Sequence, residues 1–255
     1  MIFSKKIPLA AAMISVAAFS FFLTNRTLAE TSCNLTPEQF DQLKNLESSS
    51  APDNQEKIRE ELSLRKSLLK TVVDCAVNET ENLKESFSTV KVSDEETKSL
   101  QNQFLPWFSD MLNYYDLQKG LIDDLGLRGS KEFAKNFQTW RAGNFKPTAI
   151  LVANFILWSQ NQELMQIAQN RLDQMKRGVE IFNLGLNEEV RNGLADSEEE
   201  FKNAKSLNDE VKEKIRSYDS SDGTLDLIRS SLEALSSTYK KLFDLAEKIN
   251  KALVK

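Results

Sequence analysis

Clustered carboxylates are the residues of this sequence whose type and spacing best suit chemistry. Two or more acidic side chains can bind calcium, or act as acid and base on a glycan. Neighbouring acids on a helix, however, point about 100° apart, and acids in a first turn favour the helix dipole. We therefore interpret them as solvated or capping residues and predict no catalytic, cofactor-binding or metal-binding site. The clusters are Glu79 and Glu81, Glu95 and Glu96, Asp123 and Asp124, and Glu198 to Glu200.

Histidine is absent from all 255 residues. Its absence removes the usual general base at neutral pH and the commonest metal ligand, and it excludes Ser-His-Asp and Cys-His arrangements. It also excludes the Glu-x-x-His pairs of di-iron helical bundles. We predict that the protein is not an enzyme, and keep a carboxylate-dependent enzyme acting on cell-wall glycan as an alternative.

Aromatic residues are concentrated in one part of the chain. Eleven of the 22 lie between residues 100 and 160, including Trp107, Trp140 and Trp158. Aromatic side chains dominate the energetics of cores, so this stretch is expected to build the main core. The alternative is that the three tryptophans, together with Gln166 from an amide-rich helix, form a pocket for an apolar or glycan ligand.

The N-terminus has the order of a secretory signal peptide. Lys5 and Lys6 precede an apolar stretch over residues 7–23, and Thr27 and Ala29 put small residues before an expected cleavage after Ala29. The stretch is at the lower length limit for a membrane-spanning helix, so an uncleaved anchor is the alternative. In both cases the rest of the chain is expected outside the cytoplasm, as a periplasmic, secreted or cell-surface protein.

Cys33 and Cys75 are the two cysteines of the chain. In an oxidising compartment two cysteines are expected to pair. Closing the loop between them would stabilise the fold by about 4 kcal/mol in the chain-entropy model. We predict a disulfide. The rival interpretation, a lipid-carrying Cys33, lacks the aliphatic residue that such a site needs before the cysteine.

The charge balance limits the classes of partner. The chain has 33 basic and 38 acidic residues, and loss of Lys5, Lys6 and Arg26 with the leader would change the net charge from −5 to −8. An acidic body is not expected to bind nucleic acid, and anionic lipid would repel it. Membrane association is therefore expected only through an uncleaved leader.

Apolar positions recur with a period of 3.6 residues throughout the mature chain, and no stretch shows the sustained alternation of a strand. We predict an all-α fold. Helix-start and helix-stop residues place the boundaries. The predicted helices run over residues 37–46 and 55–89, from Ser93 to Gly126, from Ser130 to Gly143, and from Pro147 onwards.

After residue 186 the chain becomes highly charged, and its apolar positions thin to the narrow seam that is typical of a coiled coil. The short connection at residues 219–224 requires two antiparallel helices. In this hairpin Tyr218 is expected to meet Leu225, and Asn208 to meet Leu235. Asn208 is then either a polar position that specifies the register or a plain imperfection of the seam. The central seam residues are Phe201, Asn208, Leu235 and Tyr239.

The hairpin is expected to stand partly away from the body as an arm about 50 Å long. Phe243 and Leu245 widen its apolar face, so docking on the body is predicted near them. The predicted fold is thus an elongated all-α bundle with a C-terminal antiparallel coiled-coil hairpin. Residues 1–29 form the leader, 30–186 an aromatic-cored bundle and 187–255 the hairpin.

Our leading hypothesis is an exported, non-catalytic protein of the cell envelope whose hairpin binds another envelope protein. An exposed helical hairpin can reach a partner without a deep pocket. The first alternative is an extracytoplasmic binding protein that holds an apolar or glycan ligand in the bundle. The second is the glycan enzyme named above. No cofactor is expected for any of the three.

Overall fold

The computed structural model describes residues 36–48, 55–92 and 94–254. In these residues the backbone forms seven α-helices and no strand, which confirms the all-α prediction. The chain is an elongated helical bundle whose last two helices form an antiparallel hairpin. The helices are α1 (Pro37–Ser48), α2 (Gln55–Ser88), α3 (Glu95–Leu121), α4 (Leu127–Trp140), α5 (Lys146–Ile181), α6 (Glu188–Arg216) and α7 (Asp222–Val254).

Helices α1 and α3 begin where polar side chains satisfy free backbone groups. At α1 the Thr36 N–H donates to Oε1 of Gln39 at 3.1 Å, which is one half of a capping box. Ser93, the predicted cap of α3, lies outside the described residues. Asp94 caps α3, because its Oδ1 accepts the Thr97 N–H at 2.8 Å. That hydrogen bond favours the ionised carboxylate and lowers the pKa of Asp94.

Two predicted boundaries around α4 are wrong. α3 ends at Leu121, and the chain continues in a short 3₁₀ turn, Ile122–Asp124, before Gly126 becomes the N-cap residue of α4. Ser130, the predicted cap, lies inside α4, where its Oγ donates to the Leu127 carbonyl at 2.7 Å. The hydroxyl therefore satisfies a carbonyl of its own helix and does not cap a free N–H.

Gly143 does not end a helix. The backbone continues through a π-helical turn, Arg141–Phe145, directly into α5, with the Lys146 N–H donating to the Arg141 carbonyl. Pro147, which has no N–H to donate, lies just after this wide turn. α4 and α5 therefore form one continuous helical path with a π-bulge between them.

The main core joins α2, α3 and α5 through aromatic rings, as the composition of residues 100–160 predicts. The ring of Phe87 on α2 lies 5.8 Å from Phe104, 5.6 Å from Phe108 and 5.1 Å from Phe155. All four side chains are fully buried. The contribution of α2 could not be read from the aromatic-rich stretch, because Phe87 lies before it.

The hairpin of α6 and α7 does not stand away from the body as a separate arm. Helix α5 lies along it as a third helix. Buried Met165 and Leu172 of α5 pack with Phe201 of α6 and with Leu235 and Leu242 of α7. These three helices form one bundle, and α5, which is about 54 Å long, connects that bundle to the aromatic core.

The predicted docking point is also corrected. Val211, Ile215 and Ile228, which lie near the turn of the hairpin, belong to the main aromatic core. At the open end, Leu245 is buried against Val179 and Val190, while Phe243 is exposed. The turn end of the hairpin is therefore the end that docks on the body.

A second buried row on α7 explains why the hairpin needs a third helix. It runs beside the predicted seam at seven-residue spacing. Its first three members are small polar residues, so the predicted seam, which was built on apolar positions, does not include them. Because both α5 and α6 pack on α7, this row is covered as well. Its members are Thr224, Ser231, Thr238 and Leu245, each fully buried.

Candidate interaction sites

All three tryptophans pack in or on the main core, each with its own neighbours. Trp158 is buried in the main core, and its Nε1–H donates to the Asn208 carbonyl at 3.2 Å. The Trp107 ring packs against Tyr218, with 5.4 Å between ring centroids. The Trp140 ring stacks on Tyr114 at 3.6 Å. Each tryptophan thus packs on other protein groups, as expected for residues that fill the core.

Gln166, the fourth residue of the predicted pocket, is exposed on α5. It lines a small surface groove of about 180 Å³, and none of the three tryptophans belongs to that lining. Gln166 therefore does not share a groove with the tryptophans, and the packing of the tryptophans in the core gives no support to a ligand pocket built on them.

The four central residues of the predicted seam lie between the helices of the bundle. Phe201, Asn208 and Leu235 are buried, and Tyr239 is half-buried. The Tyr239 hydroxyl donates to the Leu164 carbonyl of α5 at 3.4 Å, and partial burial raises the pKa of this phenol. The predicted seam residues thus contact α5 as well as the other helix of the hairpin.

Asn208 is part of a polar cluster that joins three helices. Its Oδ1 accepts the Asn161 Nδ2–H at 3.1 Å, and the same Nδ2 donates to Ser231 Oγ at 2.9 Å. Ser231 in turn donates to the Ala204 carbonyl at 3.1 Å. The three polar side chains are buried. Asn208 therefore meets Asn161 through this bond, a contact that the predicted pairing with Leu235 does not include.

The carboxylate clusters are mostly occupied by structural ion pairs. Within the part of the chain that the structure describes, no three acidic or cysteine side chains form a metal-binding group. The pairing cations come from other helices, so these acids tie elements together. The pairs are Glu79 with Arg141, Glu96 with Lys212 and Arg216, Asp123 with Lys70, Glu198 with Lys176, and Glu200 with Lys241.

A larger groove of about 560 Å³ lies between α1, α2, α4 and the π-helical turn. Its apolar walls combine buried core residues with two side chains of α1 that are not buried. The sequence indicated neither the groove nor its position, because its lining comes from four separate elements. The apolar lining residues are Phe40, Leu43, Leu68, Leu69, Val72, Ala134, Phe137, Ala142 and Phe145.

Three cations and one carboxylate also line this groove, namely Arg65, Arg141, Lys146 and Glu79. Arg141 pairs with Glu79, and its guanidinium carbon lies 4.6 Å from the centroid of the Phe145 ring, within cation–π range. Lys146 forms no ion pair with any residue that the structure describes. The end of the groove at the π-helical turn therefore carries positive charge on a chain that is acidic as a whole.

A second unusual surface lies at the open end of the three-helix bundle. Three large apolar side chains project there between α5 and α6: Ile181 is 72% exposed, Phe182 54% and Leu186 97%. We call these three residues the apolar tip. Val179 and Val190, which lie on the two helices that flank the tip, are buried together with Leu245. The tip residues themselves are exposed and do not belong to this buried cluster.

The connection that carries the tip is well defined by hydrogen bonds. Asn183 adopts a left-handed conformation with φ of 53°, which asparagine tolerates better than most residues. Asn187 caps α6, its Oδ1 accepting the Val190 N–H at 3.1 Å. The Phe182 N–H donates to the Gly178 carbonyl at 3.1 Å. The apolar side chains are therefore presented by a structured turn.

The predicted leader and Cys33 lie outside the described residues, so both predictions remain untested. Cys75 is partly buried on α2. None of the helices in the described ranges is long and apolar enough to cross a membrane.

Comparison of the chain with protein-family models, with curated proteins and with solved structures gave no match.

Proposed function

We propose that the protein is a non-catalytic interaction protein of the cell envelope, and that it binds another protein through the apolar tip. The observation that carries this proposal is the exposure of three large apolar side chains, Ile181, Phe182 and Leu186, within six consecutive residues. Single exposed apolar residues are ordinary, whereas neighbouring large ones at one end of a molecule are typical of interaction sites.

The charges around the tip indicate the chemistry of the partner. Glu180, Glu188 and Glu189 are exposed within three residues of the tip, and none pairs with a cation among the described residues. Arg177 and Arg191 lie further along their helices. An apolar pocket with a basic rim is complementary to this arrangement.

The length of the bundle supports the same function. α5 extends about 54 Å from the aromatic core, and the tip lies at its far end. The hairpin is bonded to the body at its other end, where Arg216 and Lys212 pair with Glu96. The three-helix bundle would therefore act as a rigid spacer that presents the tip at a distance from the aromatic core.

The experiment replaces Leu186 with Asp in the full-length chain. Leu186 is almost fully exposed, so L186D should leave the melting temperature unchanged. We expect a partner captured from solubilised envelopes, and then purified, to bind L186D at least tenfold more weakly than the wild type. Leu117, 69% exposed on α3, provides the matched control: L117D introduces the same charge at a distant site and should bind normally.

Equal loss of affinity in L186D and L117D would show that the effect is not specific to the tip, and unchanged affinity in L186D would refute the tip as the binding surface. A partner whose contact surface is acidic would contradict the charge argument.

The glycan-enzyme alternative gains no support from the placement of the acids. Its best candidates by position, Glu79 beside the groove and buried Glu61, are each held in an ion pair, with Arg141 and Arg65 respectively. For the ligand-binding alternative, the larger groove is a better candidate site than the predicted tryptophan pocket.

A further inference from the structure

We propose that the 560 Å³ groove between α1, α2, α4 and the π-helical turn binds a small amphiphile with one apolar chain and one anionic head group. Its volume lies within the range of about 300–1,000 Å³ that is usual for small-molecule sites. The site is independent of the apolar tip, which lies at the other end of α5.

The walls of the groove suit an apolar chain. Leu68, Leu69, Phe137 and Phe145 are buried at its floor. Phe40 of α1 lines the opposite side and remains 44% exposed. Helix α1 has no fully buried side chain among its described residues, so it covers the groove without filling it. An apolar chain in this space would bury both the floor of the groove and the side of α1 that faces it.

The polar end of the groove suits an anion. Arg141 and Lys146 lie at the two ends of the π-helical turn, and both line the groove. Lys146 is exposed and forms no ion pair within the described ranges, so its ammonium group can approach a carboxylate or phosphate. Arg141 already pairs with Glu79, and its fixed position makes it a directional donor to a second anion.

The balance of charge distinguishes this ligand from a cationic or a neutral one. Two of the three cations in the lining are already paired, Arg65 with Glu61 and Glu47, and Arg141 with Glu79. Lys146 supplies the unpaired positive charge, on a protein with a net charge of −5. A glycan would need many hydrogen-bonding groups along the walls, and most of the lining is aliphatic or aromatic. The ligand class that meets both conditions is an acyl-chain anion.

Three probes with the same chain length test the proposal by isothermal titration calorimetry at neutral pH. They are dodecanoate, dodecyltrimethylammonium and dodecyl maltoside, each below its critical micelle concentration. We expect dodecanoate to bind one-to-one, and at least tenfold more tightly than the cationic or the neutral probe. Equal affinity for all three would refute the preference for an anionic head group. Failure of dodecanoate to bind would refute the groove as an amphiphile site.

Two pairs of variants locate the binding. Ala134 faces the groove from α4, so A134F should fill it and reduce dodecanoate affinity at least tenfold. Asn136 is exposed on the same helix outside the lining, so N136F should bind normally. K146E should lower the affinity for dodecanoate at least tenfold and the affinity for the neutral probe by less than threefold. K135E makes the same charge change outside the groove and should lower neither affinity.

Other occupants would give different results. If the ligand-free protein self-associates in sedimentation, and A134F abolishes this, the groove holds a second copy and the amphiphile proposal is wrong. If A134F and N136F bind dodecanoate equally well, the probe binds elsewhere and the proposal is equally wrong. Ala134 lies on α4, before the start of α5, and Leu186 lies beyond the end of α5, so failure of one proposal leaves the other testable.

Discussion

The Asn161 side-chain amide of α5 donates a hydrogen bond to the Asn208 side-chain oxygen of α6 at 3.1 Å, in the interior of the three-helix bundle. The same amide donates to Ser231 of α7 at 2.9 Å. One amide group thus contacts both helices of the hairpin. Because a buried polar group without a partner is costly, helix registers that separate these residues are disfavoured.

Asn208→Ala tests this polar cluster. It removes one acceptor of the Asn161 amide and leaves a small cavity, so we expect the free energy of unfolding to fall by about 1–3 kcal/mol. Urea denaturation followed by circular dichroism measures the change. Asn203 lies exposed on the same helix, and Asn203→Ala should change stability by no more than about 0.5 kcal/mol. Equal effects of the two substitutions would show that the cluster contributes nothing specific.

Tyr218 tests the docking of the hairpin turn on the body. Its ring packs on Trp107 and Phe104, and its hydroxyl donates to Gln103 Oε1 at 2.9 Å. Tyr218→Ala removes both contacts and should shift the tryptophan emission to longer wavelength, since Trp107 becomes more exposed. Tyr218→Phe keeps the ring and should keep the emission of the wild type, at a cost of about 1 kcal/mol or less.

The backbone at Tyr218 has φ of 58°, a left-handed conformation that is unfavourable for most residues. Tyr218→Gly removes the ring but also relieves this strain. It should therefore destabilise the protein less than Tyr218→Ala does. If the emission of Tyr218→Ala matched that of the wild type, the turn would not rest on Trp107.

Asp219 is expected to make the stability of the fold depend on pH in the acid range. Hydrogen bonds from the Ser221 hydroxyl, the Lys214 ammonium group and the Ser221 backbone N–H lower its pKa to about 2. The ordinary pKa of an aspartate is about 3.9, so the ionised form stabilises the native state above about pH 4. This contribution is lost as the pH falls from about 4 to 2.

Asp219→Asn should therefore reduce the slope of melting temperature against pH between about pH 4 and 2, and lower the melting temperature above pH 4. Scanning calorimetry of both proteins at several pH values measures this. If the variant and the wild type showed the same slope, the Asp219 interactions would be absent in solution.

The predicted Cys33–Cys75 disulfide remains a prediction, because Cys33 lies outside the described residues. Glu47, near the end of α1, pairs with Arg65, and Phe40 nearer its start lines the groove together with Val72. Cys33 lies three residues before Thr36 in the sequence, so a disulfide to Cys75 would tether the start of α1 to α2.

Peptide mapping of the exported protein without reduction should recover Cys33 and Cys75 in one linked fragment. Cys75→Ser should lower the free energy of unfolding by up to about 4 kcal/mol. Recovery of both cysteines as thiols from native material would refute the bridge. If the bridge tethers α1, Cys75→Ser should also weaken dodecanoate binding.

Helix content and the hairpin could be predicted because both depend on local signals. The apolar period and the turn residues are properties of neighbouring positions, and α2 runs from Gln55 to Ser88, within one residue of the prediction. The hairpin could be recognised because a narrow seam on two helices joined by a short turn has one simple packing solution.

The third helix of the bundle could not be predicted in this way. Thr224, Ser231 and Thr238 are fully buried, yet their small polar side chains do not mark a buried row by hydrophobicity. The π-helical turn was missed for a related reason. Gly143 and Pro147 together indicate a break, whereas the backbone changes only its hydrogen-bond spacing.

Neither candidate site was visible in the sequence. Nothing in the sequence distinguishes Leu186 from the buried leucines, whereas in the structure it is 97% exposed, and Ile181 and Phe182 are exposed as well. The groove needs residues from four elements, and only the tertiary structure brings Phe40 near Phe145. The three tryptophans are large enough to wall a ligand pocket, but their packing against Asn208, Tyr218 and Tyr114 gives them a structural role.

The most direct test of the apolar tip as the binding surface is site-specific photo-cross-linking in the native envelope. A benzophenone amino acid placed at Leu186 lies within the tip, and the same group at Leu117 lies on α3, away from it. We expect one discrete cross-linked species from position 186 and none from position 117. The absence of any product at 186, or the same product from both positions, would contradict the proposal.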